Sequence, residues 1–200
     1  MGVTERKGRE RAEREQRITA TARAIAASEG WSAVTIRRLA DEIEYSQPVL
    51  YSHFANRDAI VAAVAVEGFS ELAAALEAAG RLSEDRRTAL QNVADTYLDF
   101  TSAHPTLYDA MFTLPTTLRV ADVDTKSDLQ AAFAALAAVV PSSKAESEIA
   151  TETFWAALHG LSTLERSGRI RPGARDERMA LVIDGLFHGE ELGAQQRRSS

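Results

Sequence analysis

The chain has 200 residues, no cysteine and a formal net charge of −6, from 23 Lys and Arg against 29 Asp and Glu. Its hydrophobic content of 45% excludes a disordered chain, and the lack of cysteine excludes disulfides, thiolate metal sites and a cysteine nucleophile. The longest uncharged stretch, Leu129 to Ser143, is too short to span a membrane, and the charged N-terminus lacks an apolar signal core. We therefore expect a soluble intracellular protein.

The charge is unevenly distributed along the chain. Residues 1–57 carry 10 basic and 8 acidic side chains, a net of +2, whereas residues 58–200 carry 13 basic and 21 acidic side chains, a net of −8. This asymmetry either separates two functions or is a chance scatter of surface charge, and the numbers alone do not choose between them.

Helical periodicity runs through almost the whole chain, and strand-like alternation is nearly absent. The sequence predicts an all-α fold of about nine helices. Gly30 ends the first helix, Thr35 caps the second, and Asn56 caps the fourth. These first four helices are predicted at about residues 9–29, 36–42, 47–53 and 57–79.

The acidic segment, residues 58–200, is also predicted to be helical. Ser83 can cap the next helix, and the pair His104-Pro105 ends that helix and begins a short one. A polar loop from Pro115 to about Thr125 follows. Apolar stripes then predict three further helices, of which the last two lie at about residues 144–167 and 175–189.

The stretch from Thr35 to Arg57, TIRRLADEIEYSQPVLYSHFANR, predicts two short helices joined by a turn. Two helices of about two turns bury little surface alone, so they need the first helix as a third packing partner. This arrangement is the helix-turn-helix, in which the second short helix enters the major groove of DNA. The apolar residues with the spacing for a shared core are Ile36, Leu39, Ala40, Ile43, Leu50 and Phe54.

This region resembles the tetracycline-repressor (TetR) family of bacterial regulators. The matching residues run from about Arg17 to Val64, and the most specific are Leu50-Tyr51-Ser52-His53-Phe54 with the following Asn56-Arg57-Asp58. One departure is Glu44, which stands in the turn where the family usually has glycine. If the turn needs a positive φ, a glutamate there costs about 1 kcal/mol.

The resemblance implies that side chains on and around the second short helix contact DNA. Gln47 can pair with adenine, Val49 can touch a thymine methyl, and Arg37 can reach guanine or a phosphate. Thr35 is a helix cap and, in a second interpretation, also a phosphate contact. Tyr51 and His53 have the alternative of being packed, half-exposed side chains. The complete predicted DNA-binding set is Thr35, Arg37, Gln47, Pro48, Val49, Tyr51, His53 and Arg57.

The resemblance also implies a helix-turn-helix domain over residues 1–57 and a helical effector-binding and dimerisation domain over residues 58–200. A charged arm at about residues 1–10 precedes the first domain. The basic residues between positions 6 and 17 have four glutamates interleaved or adjacent. They form either a solvated helix start with ion pairs or an arm that contacts a DNA groove.

The second domain is similar to the subgroup of the family that carries Trp-x-x-x-His-Gly, here Trp155, His159 and Gly160. Trp155 and His159 lie at i and i+4 on one helix face. They either belong to the core or line a mostly apolar effector cavity. The candidate effector-binding residues are Tyr97, Phe100, Tyr108, Met111, Phe112, Phe133, Trp155 and His159.

One short recognition helix contacts too few base pairs to specify a site, so we expect a homodimer on a palindromic operator. The last two long helices are the natural interface, as a four-helix bundle, although some of their apolar residues belong in the core of one chain. The candidate interface residues are Leu158, Leu161, Leu164, Met179, Val182, Ile183 and Leu186.

The expected function is that of a sequence-specific transcriptional regulator, a repressor released from double-stranded DNA by a small, mostly apolar effector, with no cofactor. A metal-responsive regulator, and a regulator or activator controlled by a partner protein, remain alternatives on the same fold. An enzyme is disfavoured, because the chain has no Gly-rich phosphate loop, no metal-binding run and no Gly-x-Ser-x-Gly, and its four histidines are scattered.

Overall fold

The computed structural model describes residues 2–114, 123–141, 147–171 and 173–198. These residues form nine α-helices and one 3-10 turn at Trp31–Ala33, which confirms the predicted all-α fold. The predicted loop from Pro115 to about Thr125 lies mostly outside the described residues. The helices are α1 (Val3–Glu29), α2 (Ile36–Ile43), α3 (Gln47–His53), α4 (Arg57–Gly80), α5 (Arg86–Ala103), α6 (Pro105–Phe112), α7 (Val123–Ala137), α8 (Ser147–Arg166) and α9 (Arg175–Arg198).

The helix boundaries follow local capping chemistry. Asn56 caps α4 as predicted, because its Oδ1 accepts a hydrogen bond from the backbone N–H of Ala59 at 2.9 Å. The cap of α5 is Asp85, and the prediction of Ser83 is wrong. Asp85 lies three residues before Thr88 and accepts that residue's backbone N–H at 2.8 Å, the geometry that a cap requires.

Two helices are longer than predicted. α1 begins at Val3, earlier than the predicted start near Arg9, and α9 continues to Arg198, beyond the predicted end near residue 189. The added segments consist largely of Glu, Arg, Ala and Gln, which have high helix propensity even where they bury nothing. The predictions depended on apolar periodicity, which does not detect helical segments made largely of polar residues and alanine.

By internal contacts the chain divides into two compact units. Unit 1 contains Met1–Phe69 and His104–Lys126, and unit 2 contains Ser70–Ala103 and Ser127–Ser200. The division therefore falls inside α4, at the junction of α5 with α6, and inside α7. This division describes packing, whereas the predicted boundary at residue 57 concerns function and stays a prediction.

The core of unit 1 is built from apolar stripes on its helices. In α2 the buried residues are Leu39, Ala40 and Ile43, which recur every three or four positions and so share one face. α3, which has seven residues, buries only Leu50 completely. The other fully buried apolar residues of this core include Ile18, Ala22, Val34, Ile60, Val61, Val64, Leu107 and Ala110.

α6 packs closely against other parts of unit 1, although it is distant in sequence. A Cβ atom at Gly68 would lie 2.8 Å from Sδ of Met111 and 2.9 Å from Cδ1 of Leu107, so the glycine lets α4 and α6 approach closely. The indole Nε1 of Trp31 donates a hydrogen bond to the backbone carbonyl of Thr106 at 2.8 Å. Both contacts fix α6 to the N-terminal helices.

Unit 2 combines an apolar core with an ion-pair network at its surface. Nη1 of Arg175 on α9 lies 2.6 Å from Oδ1 of Asp99 on α5, and its Nη2 lies 3.4 Å from Oε2 of Glu165 on α8. Glu165 also pairs with Arg178 at 2.8 Å. The network therefore joins α5, α8 and α9. The fully buried residues of the unit 2 core include Leu90, Val93, Tyr97, Leu98, Phe154, Leu158, Met179 and Ile183.

α4 is long and apolar enough to cross a membrane, but 50% of its most apolar window is buried inside the protein. A core helix of a soluble protein has the same length and composition. In the helices whose residues are described, it is the single candidate for a membrane span.

Glu44 follows α2 in the left-handed conformation, with φ 58° and ψ 37°. Within the described parts of the chain it is the single non-glycine residue with a positive φ. The backbone N–H groups of Glu44 and Tyr45 both point to the carbonyl of Ala40 and so close the end of the helix. The turn thus has the geometry for which a glycine is favoured, and a side chain there costs about 1–2 kcal/mol.

We predict that Glu44→Gly raises the free energy of unfolding by about 1 kcal/mol, because glycine adopts a positive φ without a steric penalty. Asp41→Gly, inside the same helix, is the matched control and should lower it by roughly 0.3 kcal/mol, the difference in helix propensity between Asp and Gly. Urea denaturation followed by circular dichroism measures both changes. If Glu44→Gly destabilises the protein as Asp41→Gly does, the turn does not hold Glu44 at a positive φ.

Candidate nucleic-acid interface

The first turn of α3 is exposed and carries the residues predicted to contact bases. Gln47 and Pro48 lie at the start of the helix and are exposed. Val49 is 36% exposed and Tyr51 is 53% exposed, although both have large apolar surfaces. The turn therefore presents amide, aliphatic and phenolic groups together, which are the groups that contact base edges and phosphates.

Three polar side chains lie at the start of α2, the helix that precedes α3 in the chain. Thr35 Oγ1 accepts the backbone N–H of Arg38 at 3.1 Å and so caps the helix. Arg37 is highly exposed, with its Nε 3.9 Å from Oδ2 of Asp41. Arg38 lies between two acids, 3.2 Å from Glu29 and 3.5 Å from Glu42, so its charge belongs to a solvated, paired helix face.

His53, at the C-terminal end of α3, contacts α1. Its side chain is 6% exposed, and its Nδ1 lies 3.2 Å from Oε1 of Glu15. The same oxygen accepts a hydrogen bond from Nε of Arg11 at 2.8 Å. Of the two interpretations of His53, the geometry favours the packed side chain.

Arg57, the first residue of α4, holds the turn that precedes α2. Its Nε donates to the carbonyl of Val34 and its Nη2 donates to the carbonyl of Trp31, each at 2.7 Å. Its Nη1 lies 3.3 Å from Oδ1 of Asp58. Three of the five N–H donors of the guanidinium are therefore engaged within the protein. Sequence reasoning missed this role, because nothing local distinguishes an arginine that binds a carbonyl from one that binds a phosphate.

Basic residues of the N-terminal arm are paired along α1. Arg6 lies 3.6 Å from Glu10 and Arg11 lies 2.8 Å from Glu15, both at i and i+4. Such exposed pairs contribute a few tenths of a kcal/mol each. Further along the helix, the guanidinium of Arg17 lies 5.4 Å from the centre of the Tyr45 ring. These contacts favour the solvated, ion-paired interpretation of the arm.

The eight residues predicted to bind an effector are divided between the two units. Three of them lie on α6 in unit 1, where Tyr108 and Met111 are buried. The ring of Phe112 lies 4.6 Å from that of Tyr108 and 5.2 Å from that of Phe69. The remaining five, in unit 2, are Tyr97, Phe100, Phe133, Trp155 and His159.

Trp155 belongs to an aromatic cluster in unit 2. Its Nε1 donates a hydrogen bond to the hydroxyl of Tyr97 at 3.2 Å, and its ring meets that of Phe133 edge-on at 6.5 Å. Tyr97 is fully buried, whereas Trp155 and Phe133 are partly exposed. The cluster therefore has a buried core at Tyr97 and a partly exposed rim at Trp155 and Phe133.

His159 lies one turn after Trp155 and is partly exposed. Burial, and secondly the positive charge of Arg166, lower the pKa of His159 below its ordinary value. The imidazole is therefore neutral at pH 7, with one nitrogen that donates and one that accepts. Gly160 has open space around it, because no described atom outside its own helix lies within 4 Å of a Cβ built there.

Unit 2 also contains a groove of about 390 Å³ between α4 and α7. Its walls are almost entirely the methyl groups of alanines, and its one charged residue, Glu77, is paired with Arg81. The alanines that line it are Ala73, Ala74, Ala131, Ala134, Ala135 and Ala138.

Three residues predicted to form a dimer interface are instead core residues of one chain. Leu158, Met179 and Ile183 are 0–1% exposed, so a partner cannot reach them without unpacking unit 2. The helical period identifies an apolar face but not which neighbour covers it. The predicted residues that remain partly or fully exposed are Leu161, Leu164, Val182 and Leu186.

The structure adds two exposed apolar residues that the apolar stripes did not include. Leu181 on α9 is 74% exposed and Ile149 on α8 is 69% exposed. Each lies on the side of its helix opposite the buried residues. A leucine or isoleucine outside the apolar stripe of a helix is the sequence feature that could have identified them. We define the α8–α9 face as Ile149, Gly160, Leu161, Leu164, Leu181, Val182, Gly185 and Leu186.

Solved structures share the fold of this chain. A protein of unknown function from Rhodococcus sp. RHA1 has a TM-score of 0.75 and 24% identity, covering 88% of this chain and 94% of that protein. The transcriptional regulator FadR from Bacillus subtilis, solved in complex with stearoyl-CoA, has a TM-score of 0.64 and 11% identity, covering 86% of this chain and 98% of that one. At these identities the likeness establishes the fold alone.

Sequence relatives extend the comparison to family. An uncharacterised helix-turn-helix transcriptional regulator of Mycobacterium tuberculosis is 30% identical over 145 residues, which are 70% of this chain and 64% of that relative. The chain therefore spans somewhat less than two thirds of this relative. Residues 18–64 match the model of bacterial regulatory proteins of the tetR family, and residues 90–186 match that of the tetracyclin repressor-like C-terminal domain.

The two family models cover the helix-turn-helix and the later helices in the order in which the fold presents them. Neither model names the narrower Trp-His-Gly subgroup, which stays a prediction. Membership in a family of regulators also confirms that the chain is not an enzyme. The protein belongs to the TetR family of DNA-binding transcriptional regulators.

Proposed function

We propose that the protein is a cytoplasmic repressor that binds a palindromic operator as a homodimer and releases it when a small, mostly apolar effector binds. The observation that carries this proposal is the exposed first turn of α3. It joins Gln47, Pro48 and Val49 on a helix whose opposite end is held by the packed His53. A helix that is held at one end and exposes its first turn has the arrangement that sequence-specific contact requires.

The residues have different roles in this proposal. Gln47 pairs with adenine, Val49 contacts a thymine methyl, and the exposed Arg37 contacts guanine or a phosphate. The hydroxyl of Tyr51 donates a hydrogen bond to a phosphate. Thr35 either acts only as the helix cap or also contacts a phosphate. His53 and Arg57 support the surface from within through the hydrogen bonds described above, and any phosphate contact from Arg57 uses the remaining guanidinium donors.

We predict that Gln47→Ala weakens binding to the selected operator by about 1–3 kcal/mol and relaxes specificity at one base pair. The operator is first selected from random duplexes with the wild-type protein. Competition binding against every single-base-pair variant then measures the specificity profile. Gln130→Ala, an exposed glutamine on α7, is the control and should leave the profile unchanged. An unchanged profile in Gln47→Ala would remove Gln47 from the base-contacting set.

The α8–α9 face supports the proposed homodimer. On α8 Gly160 and Leu164 are one turn apart, and on α9 Leu181 and Gly185 are one turn apart, so each helix places a leucine beside a glycine. Neither glycine has a described atom outside its own helix within 4 Å of a built Cβ. A partner helix can therefore approach closely there and bury the leucines. Such exposed apolar surface on two adjacent helices is typical of an association site.

We predict that Leu181→Glu weakens self-association by at least about 10-fold, because it places an unpaired charge in the dimer interface. Leu82→Glu is the matched control, since Leu82 is 78% exposed but lies outside α8 and α9. Sedimentation equilibrium over a range of protein concentrations measures both dissociation constants. The interface is wrong if the two variants associate equally well, or if the wild-type protein is monomeric throughout.

The effector proposal draws on the chemistry of unit 2. Its aromatic cluster around Trp155 has a partly exposed rim, His159 is neutral, and the groove between α4 and α7 is lined by alanine methyl groups. These surfaces suit an apolar molecule with few polar groups. The FadR of Bacillus subtilis, which shares the fold, was solved with stearoyl-CoA. We therefore take a long acyl chain as the first candidate class.

The proposed response passes from unit 2 to the DNA-contacting helices through continuous helices. α4 belongs partly to each unit, and α5 leads directly into α6. In unit 1, α6 is bonded to Trp31, and the carbonyl of Trp31 is bonded to Arg57. A shift of α4 or α6 would therefore move α2 and α3 and change the match to the operator. An effector produces this shift only by binding one state more tightly than the other.

We predict that stearoyl-CoA raises the dissociation constant of the operator complex by about 5- to 150-fold. Fluorescence anisotropy of a labelled operator measures this change, and calorimetry measures stearoyl-CoA binding independently. Trp155→Phe should weaken stearoyl-CoA binding and leave operator affinity without stearoyl-CoA intact. Tight stearoyl-CoA binding with unchanged operator affinity would contradict the mechanism, and an absence of stearoyl-CoA binding would contradict an acyl-CoA as the effector.

The alternatives on the same fold have separate tests. In the described parts of the chain no group of three His, Asp or Glu side chains is placed to hold a metal ion. Metal analysis of the purified protein tests a metal-responsive regulator directly. Transcription assays on the selected operator distinguish a repressor from an activator by the sign of the effect.

A further inference from the structure

The contacts of α3 show which groups can fix its orientation. The helix has seven residues and buries only Leu50 completely, so its own helical stability is marginal. A single buried side chain lets a short helix rotate about that point. A second attachment, which is polar, lies at the C-terminal end, where Nδ1 of His53 is 3.2 Å from Oε1 of Glu15.

The chemistry of this contact assigns its direction. An ionised carboxylate only accepts hydrogen bonds, so Nδ1 of His53 carries the proton and donates. The side chain of His53 is 6% exposed and that of Glu15 is 33% exposed, so water competes weakly for the bond. Hydrogen bonds to a carboxylate are stronger than neutral ones. Arg11 Nε, 2.8 Å from the same oxygen, in turn holds the carboxylate in place.

We propose that Glu15 is a positioning residue for DNA recognition, which orients α3 through His53 without touching DNA. This inference rests on the proposed DNA contacts of α3. It runs against simple electrostatics, because Glu15 is a negative charge in a region of net charge +2. Removing a negative charge from a DNA-binding surface ordinarily strengthens binding to phosphates. If Glu15 positions α3, its removal weakens specific binding.

The test compares Glu15→Ala with Glu13→Ala. Both variants remove one glutamate from α1 and replace it with a better helix former, so neither costs helix propensity. Glu13 is exposed two residues away. Each protein is titrated against the duplex selected by the wild type and against an unrelated duplex, and thermal unfolding checks that it is folded. Glu15→Ala should lose about 10-fold in affinity for the selected duplex relative to the unrelated one. Glu13→Ala should keep that ratio.

Two further variants separate positioning from a general structural effect. Glu15→Gln keeps an oxygen that accepts from Nδ1 of His53 and should restore part of the lost ratio. In a double-mutant cycle, Glu15→Ala combined with His53→Ala should lose no more than His53→Ala alone, since both remove one interaction.

The outcomes distinguish this inference from the proposed function. If the wild-type protein selects no duplex, the proposed function fails and this inference fails with it. If the wild type selects a duplex but Glu15→Ala binds like Glu13→Ala, or the losses in the cycle simply add, the positioning role of Glu15 is wrong and the proposed function stands.

Discussion

The hydrogen bonds from Arg57 to two backbone carbonyls fix the geometry on which the proposed DNA-contacting surface depends. The carbonyls of Trp31 and Val34 lie at the 3-10 turn between α1 and α2, outside any regular helix. The carbonyl of Trp31 already accepts the backbone N–H of Val34 at 3.2 Å. A carbonyl that is removed from water without a donor costs about 1–3 kcal/mol, so donors from outside the turn stabilise it. Arg57 supplies both bonds from the first turn of α4. The start of α2 is therefore tied to the start of α4.

Trp31 extends this connection to α6. Its carbonyl accepts from Arg57, while its indole donates to the carbonyl of Thr106. One residue thus joins the turn before α2 to an element 75 positions later in the chain. Gly68 adds a close contact between α4 and α6, where a Cβ would meet Met111 and Leu107. In the proposed mechanism, a shift of α6 therefore changes the position of α2 and α3 without any effector near the DNA.

The sequence predicts the parts of the structure that depend on local interactions. The period of α2 identified Leu39, Ala40 and Ile43 as core, and the family pattern pointed to the strained turn at Glu44. Contacts between distant segments could not be predicted in this way. His53 and Glu15 are 38 residues apart, and Arg57 meets carbonyls that any loop could present. For Leu158 and Leu164, periodicity gave the same prediction, but packing buried the first and left the second 37% exposed.

The pairing of the basic residues changes how the net charge of +2 should be understood. Arg11, Arg38 and Arg57 direct their guanidinium groups at partners within the protein, so the region offers phosphates less positive charge than its composition suggests. Affinity that depends on few phosphate contacts has a shallow salt dependence. In the proposed homodimer, the rest of the affinity comes from base contacts and from two recognition helices that bind together. If the protein binds DNA as the proposed homodimer, a change at the α8–α9 face alters DNA affinity without altering any residue proposed to touch DNA.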